Sequence, residues 1–441
     1  MHVLPKIAQP NIFDVIVIGG GSSGLMAAGR AAEKGARVLV VEKNSNMGEK
    51  LKITGGGRCN ITNAEYDTRE LLTHYGSAGK FLFSSFAQFG VVDTFSFFTS
   101  RGLPLVVEDH KRAFPKSHKA LDVYNVLEKY VREGKVTVKV NSPVTKVNVE
   151  KSPENQKSHI TSVVCCDGES GDHEYFSKNF IFATGGASHQ ETGSTGDGFN
   201  WLKDIGHTVV PPTPSIVPLA VADLWVKNLA GITLEEMKIT FAIDGVKTFS
   251  KKGRLLFTHF GLSGPLILNS AKEVSDLLRS GTVTATIDIF PNEDLGILER
   301  RIITIFDSNK NKMFKNVITE IVPAGMAKGI ELIIGTVINS DTRQVALLDT
   351  KVHSITTEDR KTIVRLLKSL PITITSLMGD DRAVVSDGGV SLEEIDMRTM
   401  KSKIVDNLYV TGDLLHINRP SGGYSLQLCW TTGYVAGSSS V

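Results

Sequence analysis

Three glycines and one acid near the start of the chain have the spacing of a phosphate cradle. Gly19, Gly21 and Gly24 stand as G-x-G-x-x-G in "FDVIVIGGGSSGLMAAGRAAEKGARVLVVEKN". Lacking side chains, the first allows a tight turn, the second lets backbone approach a pyrophosphate, and the third lets a helix pack closely on a strand. Ser22 and Ser23 open that helix, whose free N–H groups and positive dipole end would face the phosphate. Glu42 ends the next apolar run, about 20 residues on, where a carboxylate accepts hydrogen bonds from an adenosine ribose; Lys43 follows it. The glycines alone are a weak signal. Strand, glycines, a small-faced helix (Leu25, Ala28, Ala31, Ala32) stopped by Gly35, a second strand and a terminal acid together predict a dinucleotide site.

Two later stretches repeat the theme. Ile181 to Ala183 reads as a strand ending in Thr184, Gly185 and Gly186, and Leu408 to Val410 as another ending in Gly412 and Asp413. In an open α/β sheet, ligands bind outside the carboxyl ends of the strands, so these turns can converge on one extended ligand. An acid after the last strand suits the ribityl hydroxyls of FAD, which NAD lacks. Gly422 and Gly423 then precede an expected helix from about Tyr424 to Ala436, with Ser425 in its first turn. A helix N-terminus aimed at flavin N1 and O2 would stabilise the charge gained on reduction.

The elements that must position these residues are those of a soluble multidomain chain. At 441 residues, with 41% hydrophobic and 22% charged residues, two or three packed domains are expected. A net charge of +2 is too small to argue for a nucleic-acid or membrane partner. No run approaches the ~20 apolar residues of a membrane span. Cys59, Cys165, Cys166 and Cys429 form no CxxC pair, and a reducing cytoplasm is expected. Short alternating stretches such as "MKITFAID" and "TVTATIDIF" read as a small barrel or sandwich, "LGILERRIITIF" and "EDRKTIVRLLKSL" read as helices, and the sheet pattern resumes near Ala383. The expected fold is α/β: a Rossmann-like FAD-binding domain with a parallel sheet (residues 1–200 and 371–441), interrupted by a β-barrel-like domain (201–292) and a small helical segment (293–370).

The order of "KLKITGGGRCNITN", "RAFPKS", "STGDG", "FTHFGLSGPLIL", "SDGGVSLEEIDMRTMKSK" and "GGYSLQL" resembles the BaiN-like or aminoacetone-oxidase-like family of FAD-binding oxidoreductases. The family has "GE" where this chain has Gly412 and Asp413, a departure that keeps an acid available. The resemblance implies a flavin-binding domain split by an inserted β-rich domain, with the glycine loop after Thr54 lying against the flavin. Gly56 and Gly57 would let backbone come close to the ring or the pyrophosphate, and Arg58 would offset phosphate charge or the charge of reduced flavin. Cys59 reads as a small packing residue rather than a redox thiol, since no resolving cysteine stands nearby. Val144 completes the candidate cofactor set. Tyr424, His259 and His189 are candidate proton donors, and the catalytic residue stays open.

The activity implied is hydride transfer between non-covalently held FAD and a small organic substrate. NAD(P)H is the expected donor, and its visit to the flavin is expected to be transient because no second G-x-G-x-x-G unit is present to hold it. The resemblance allows either reduction of a carbon–carbon double bond beside a carbonyl or oxidation of an amine. Rival readings are a non-catalytic flavin-binding sensor and an RNA-modifying flavoenzyme, the latter disfavoured by the near-neutral charge. The oligomeric state is left open.

Overall fold

The computed structural model describes residues 12–151, 157–166, 171–337, 345–379 and 385–441. Residues 1–11 and the expected return near Ala383 lie outside them. The chain divides into two compact units, Met1–Pro214 with Ala383–Val441, and Ser215–Arg382.

The first unit is built on a mixed sheet. In the strand Ile12–Ile18, residues 15–18 are all β-branched and buried, as a strand covered on both faces must be. It runs parallel to Val38–Val41 on one side and to the long strand Asp172–Phe182 on the other. Thr137–Lys139 extends the sheet beyond Val38–Val41, and Leu408–Val410 pairs in parallel with the far end of Asp172–Phe182. An antiparallel pair, Val144–Lys151 and Ser158–Cys166, completes it. The register aligns the parallel ends: Ile18 stands opposite both Val41 and Phe182, Val41 opposite Lys139, and Phe182 opposite Val410. Five carboxyl ends therefore finish at one level.

The helix Ser22–Glu33 packs against the carboxy-terminal helix Tyr424–Ser439, which is buried along most of its length. Two glycines set their closeness. A Cβ on Gly433 would stand 2.4 Å from the carbonyl oxygen of Ser23, and one on Gly437 2.4 Å from that of Ala27. Gly437→Ala is accordingly expected to destabilise the protein by about 1–3 kcal/mol through overpacking. In an unconstrained helix the same change would stabilise by about 1 kcal/mol, so the sign of the shift in a urea unfolding midpoint checks the contact.

The run Gly76–Ser100 is apolar and long enough, by composition alone, to cross a membrane, which the sequence reading did not anticipate. It forms two helices, Gly79–Gln88 and Val91–Ser100, broken at Phe89 and Gly90, and buries Leu82, Phe86, Phe97 and Phe98 in the core of this unit.

The second unit contains a closed six-stranded barrel in the order Leu219–Val221, Gly261–Ser263, Val246–Phe257, Thr233–Ile243, Val283–Asp288, Leu370–Leu377, which returns to the first strand. Two expected boundaries move. Residues 201–214 stay with the first unit, because the helix Asp197–Asp204 buries Phe199 and Leu202 in its core. The second boundary falls after 377 rather than at 370, because Leu370–Leu377 closes the barrel. The helices of 293–370 are not a separate body: Leu298 and Ile302 of Leu295–Ser308, and Ile363 and Leu367 of Thr357–Lys368, share one core with the barrel strands.

Candidate functional site

The loops that leave the aligned strand ends wall a single cavity in the first unit, with about 1210 Å³ of empty space, open mouth included. Of the residues singled out from sequence, Gly19, Gly21, Ser22, Ser23, Glu42, Lys43, Val144, Ala183, Thr184, Gly185, Asp413 and Ser425 line it.

The turn into the first helix is shaped for an anion. Gly19 has φ +101°, and a Cβ there would stand 2.6 Å from the carbonyl oxygen of Ala183. A Cβ on Gly24 would strike the carbonyl oxygen of Gly19, so this glycine serves the packing of helix on turn rather than the cavity wall. A Cβ on Gly21 would find nothing within 4 Å, and the helix it precedes has no side-chain cap and no acid in its first turn. Its first N–H groups are thus left for a ligand.

Glu42 is buried, and each carboxylate oxygen already accepts one backbone N–H: Oε2 from Gly20 at 2.8 Å and Oε1 from Asn44 at 2.9 Å. A carboxylate has about four lone-pair sites, so each oxygen can still accept a hydroxyl. Burial pushes its carboxyl above the usual carboxylate range, against the downward pull of the two N–H groups. The side chains beside it tie two loops together. The Lys43 ammonium donates to Thr195 Oγ1 at 2.5 Å and to Asp197 Oδ2 at 2.9 Å, while Asn44 Nδ2 donates to the carbonyl of Thr192 at 2.9 Å.

Asp413 and three residues of the carboxy-terminal helix, Ser425, Leu426 and Cys429, line another part of the wall. Asp413 is ion-paired with Arg419, which is buried and also donates to the carbonyl of Ile417 at 2.7 Å and to Ser425 Oγ at 3.1 Å. Lys50 lines this region too and donates to Ser188 through the carbonyl oxygen at 2.9 Å and Oγ at 2.6 Å.

Several expected residues are placed elsewhere. Gly56 and Gly57 take positive φ in the turn, yet neither lines the cavity. Arg58, expected to face phosphate or flavin charge, is held instead by the Glu108 carboxylate and His118 and lies over the Phe114 ring, 4.4 Å from its centroid. Cys59 is fully buried, and burial pushes its thiol well above the range of a reactive cysteine. Gly412 and Gly186 are buried behind the wall; a Cβ on Gly412 would meet Ser23 Oγ at 2.9 Å. Gly423, at φ +102°, presses on the short strand Thr62–Asn63, where a Cβ would stand 2.3 Å from the carbonyl carbon of Thr62.

None of the three candidate proton donors lines the cavity. Tyr424 is buried against His74 and Tyr75, its hydroxyl pushed up to about 12 by burial. His189 takes a left-handed backbone and pairs with Glu191 at 2.8 Å. His259 is an exposed residue of the second unit, packed edge-on against Phe260.

Sequence reading missed Lys50, Asn44 and Arg419. Lys50 lies in "GEKLKI", where nothing separates it from a solvated helix lysine, and Arg419 precedes a proline in a segment with no periodicity. The "STGDG" stretch, noted only as part of a resemblance, supplies Ser194 to Asp197 of the wall.

Residues 13–439 match the family model described as "HI0933-like protein Rossmann domain". Among curated proteins, the 3-dehydro-bile acid delta(4,6)-reductase of Clostridium scindens is 29% identical over 96% of this chain and 97% of its own length. The ribosomal RNA dihydrouridine synthase of Haemophilus influenzae is 28% identical over 95% and 96%. Among solved structures, the 3-ketosteroid-delta4-(5alpha)-dehydrogenase from Rhodococcus jostii RHA1 superposes with a TM-score of 0.53 at 13% identity, covering 99% of this chain and 98% of that one. At that identity the likeness is one of fold.

Proposed function

Because the chain belongs to the HI0933-like Rossmann-domain family of FAD-binding oxidoreductases, we propose that it reduces a carbon–carbon double bond conjugated to a carbonyl in a small organic molecule, using non-covalently bound FAD and NAD(P)H as transient donor. The observation that carries the cofactor assignment is the set of groups that one cavity brings together: a buried acid with free lone pairs at Glu42, an uncapped helix N-terminus at Ser22, and a second acid at Asp413. These fit a ribose, a pyrophosphate and a ribityl chain. Bound FAD supplies the redox chemistry, accepting and giving a hydride at N5. Glu42 would accept the ribose hydroxyls, the first turn of Ser22–Glu33 would hold the pyrophosphate, and Arg419 would hold the Asp413 carboxylate in place at the cavity wall.

The choice of reaction rests on the two curated relatives. Their named substrates differ greatly in size, yet both names describe saturation of a carbon–carbon double bond beside a carbonyl. An RNA substrate is the second reading, favoured by the Haemophilus protein's name. A net charge of +2 argues against a chain that must neutralise many phosphates.

The test is an anaerobic titration of the FAD-loaded protein. NADH or NADPH is expected to bleach the flavin absorbance, and a simple conjugated enone such as 2-cyclohexenone to restore it. Bleaching by dithionite but by neither pyridine nucleotide would replace this reading with a flavin-dependent amine oxidase, tested next with primary amines, or with a non-catalytic flavin-binding sensor.

A further inference from the structure

Lys50 is a lysine of the cavity wall with no carboxylate of its own among the described residues. Its two hydrogen bonds go to the neutral Ser188 carbonyl and hydroxyl. An ammonium has three donors, so one is left for what enters the cavity. The acids that feel its charge are already committed, Asp413 to Arg419 and Glu191 to His189. Cys429, the remaining titratable neighbour, is held neutral, its thiol pushed up to about 12 by burial. Desolvation accordingly holds the lysine below its ordinary value. A buried charge without a partner is costly unless something compensates it, and a cavity wall is where a ligand would do so.

Its position narrows what that ligand charge is. Lys50 shares the cavity with Asp413 and Cys429, on the side of the carboxy-terminal helix, and the charge of a pyrophosphate already has the uncapped helix N-terminus at Ser22 to meet it. We infer that Lys50 is the cation facing the negative charge that reduction leaves on the flavin ring, a positioning role that deepens the FAD assignment above and depends on it. Two electrons with one proton add one net negative charge to the ring; with two protons they add none. Lys50 would favour the one-proton product.

The experiment is a spectroelectrochemical titration of FAD-loaded wild type and Lys50→Met, with FAD affinity measured on both. The variant keeps the length of the stem and removes the charge. Oxidised FAD should bind with little change, while reduced FAD should bind about tenfold more weakly relative to oxidised, a midpoint potential about 30 mV more negative for a two-electron couple. In the wild type, the midpoint potential should fall with pH at the slope for one proton per two electrons around neutrality, a readout that needs no variant. An unchanged potential in Lys50→Met, or a two-proton slope in the wild type, overturns the inference. A loss of affinity for oxidised FAD with no change in potential would assign Lys50 to the pyrophosphate and overturn it as well. Failure of the wild type to bind FAD at all would instead sink the cofactor assignment.

Discussion

Glu42→Ala is expected to weaken FAD binding on the order of ten- to a hundredfold, about 1.5–3 kcal/mol, the worth of a hydrogen bond to a charged group. The effect has two sources. The ribose loses its acceptors, and the N–H groups of Gly20 and Asn44, which the carboxylate now satisfies at 2.8 and 2.9 Å, lose theirs. Glu42→Gln should offer little relief, because its NH2 group would meet one of those N–H donors head on. Titration calorimetry of FAD into apoprotein reads both variants, and an unchanged Kd in Glu42→Ala would remove the ribose assignment. The pH dependence carries a sign. Burial raises the Glu42 carboxyl, so it protonates at a higher pH than an ordinary glutamate. FAD affinity should therefore begin to fall sooner on acidification than an exposed acid would allow.

Arg419→Leu should cost about 3–5 kcal/mol of folding stability, because it removes the buried guanidinium and leaves the largely enclosed Asp413 carboxylate without its partner. The double variant Asp413→Asn with Arg419→Leu removes both charges and should regain much of the loss. The interaction energy from the resulting cycle separates the pair from the guanidinium's other bonds, to Ile417 and Ser425. Urea unfolding of all four proteins without FAD is the measurement. Equal stability of Arg419→Leu and wild type would mean that the pair is solvated and does not organise the cavity. Since Ser425 also lines the site, the single variant should lose FAD affinity as well.

What could be read from the sequence was local. Gly19, Gly21, Glu42 and the apolar strands around them act within one strand-turn-helix-strand unit, so their spacing carries their geometry. The turns at Ala183 and Asp413 were also legible, because each repeats the same strand-then-glycine pattern. Arg58 shows the limit. Its glycine-rich setting invites a ligand role, but its partner Glu108 lies fifty positions on, on a strand whose pairing the pattern does not reveal. Lys50 and Arg419 failed in the opposite sense: both are ordinary charged residues by neighbourhood, but Lys50 is drawn into the cavity wall by Ser188, more than a hundred residues away, and Arg419 is buried in a loop without period. The barrel strand Leu370–Leu377 was misassigned because it directly follows a strong helical pattern, and its pairing with Val283–Asp288 and Leu219–Val221, both distant in sequence, makes it a strand.

The position of Leu408–Val410 beside Asp172–Phe182 has a consequence for how the protein is made. Synthesis runs from the amino terminus, and domains fold largely as units as they emerge. The first sheet is left without this strand while all of Ser215–Arg382 is translated, so the inserted unit has everything it needs to fold before its host does. Asp413, Arg419 and Ser425 reach the ribosome later still. A nascent chain would thus possess the cavity wall that carries Gly19, Gly21 and Glu42 before the wall that carries Asp413 and Ser425.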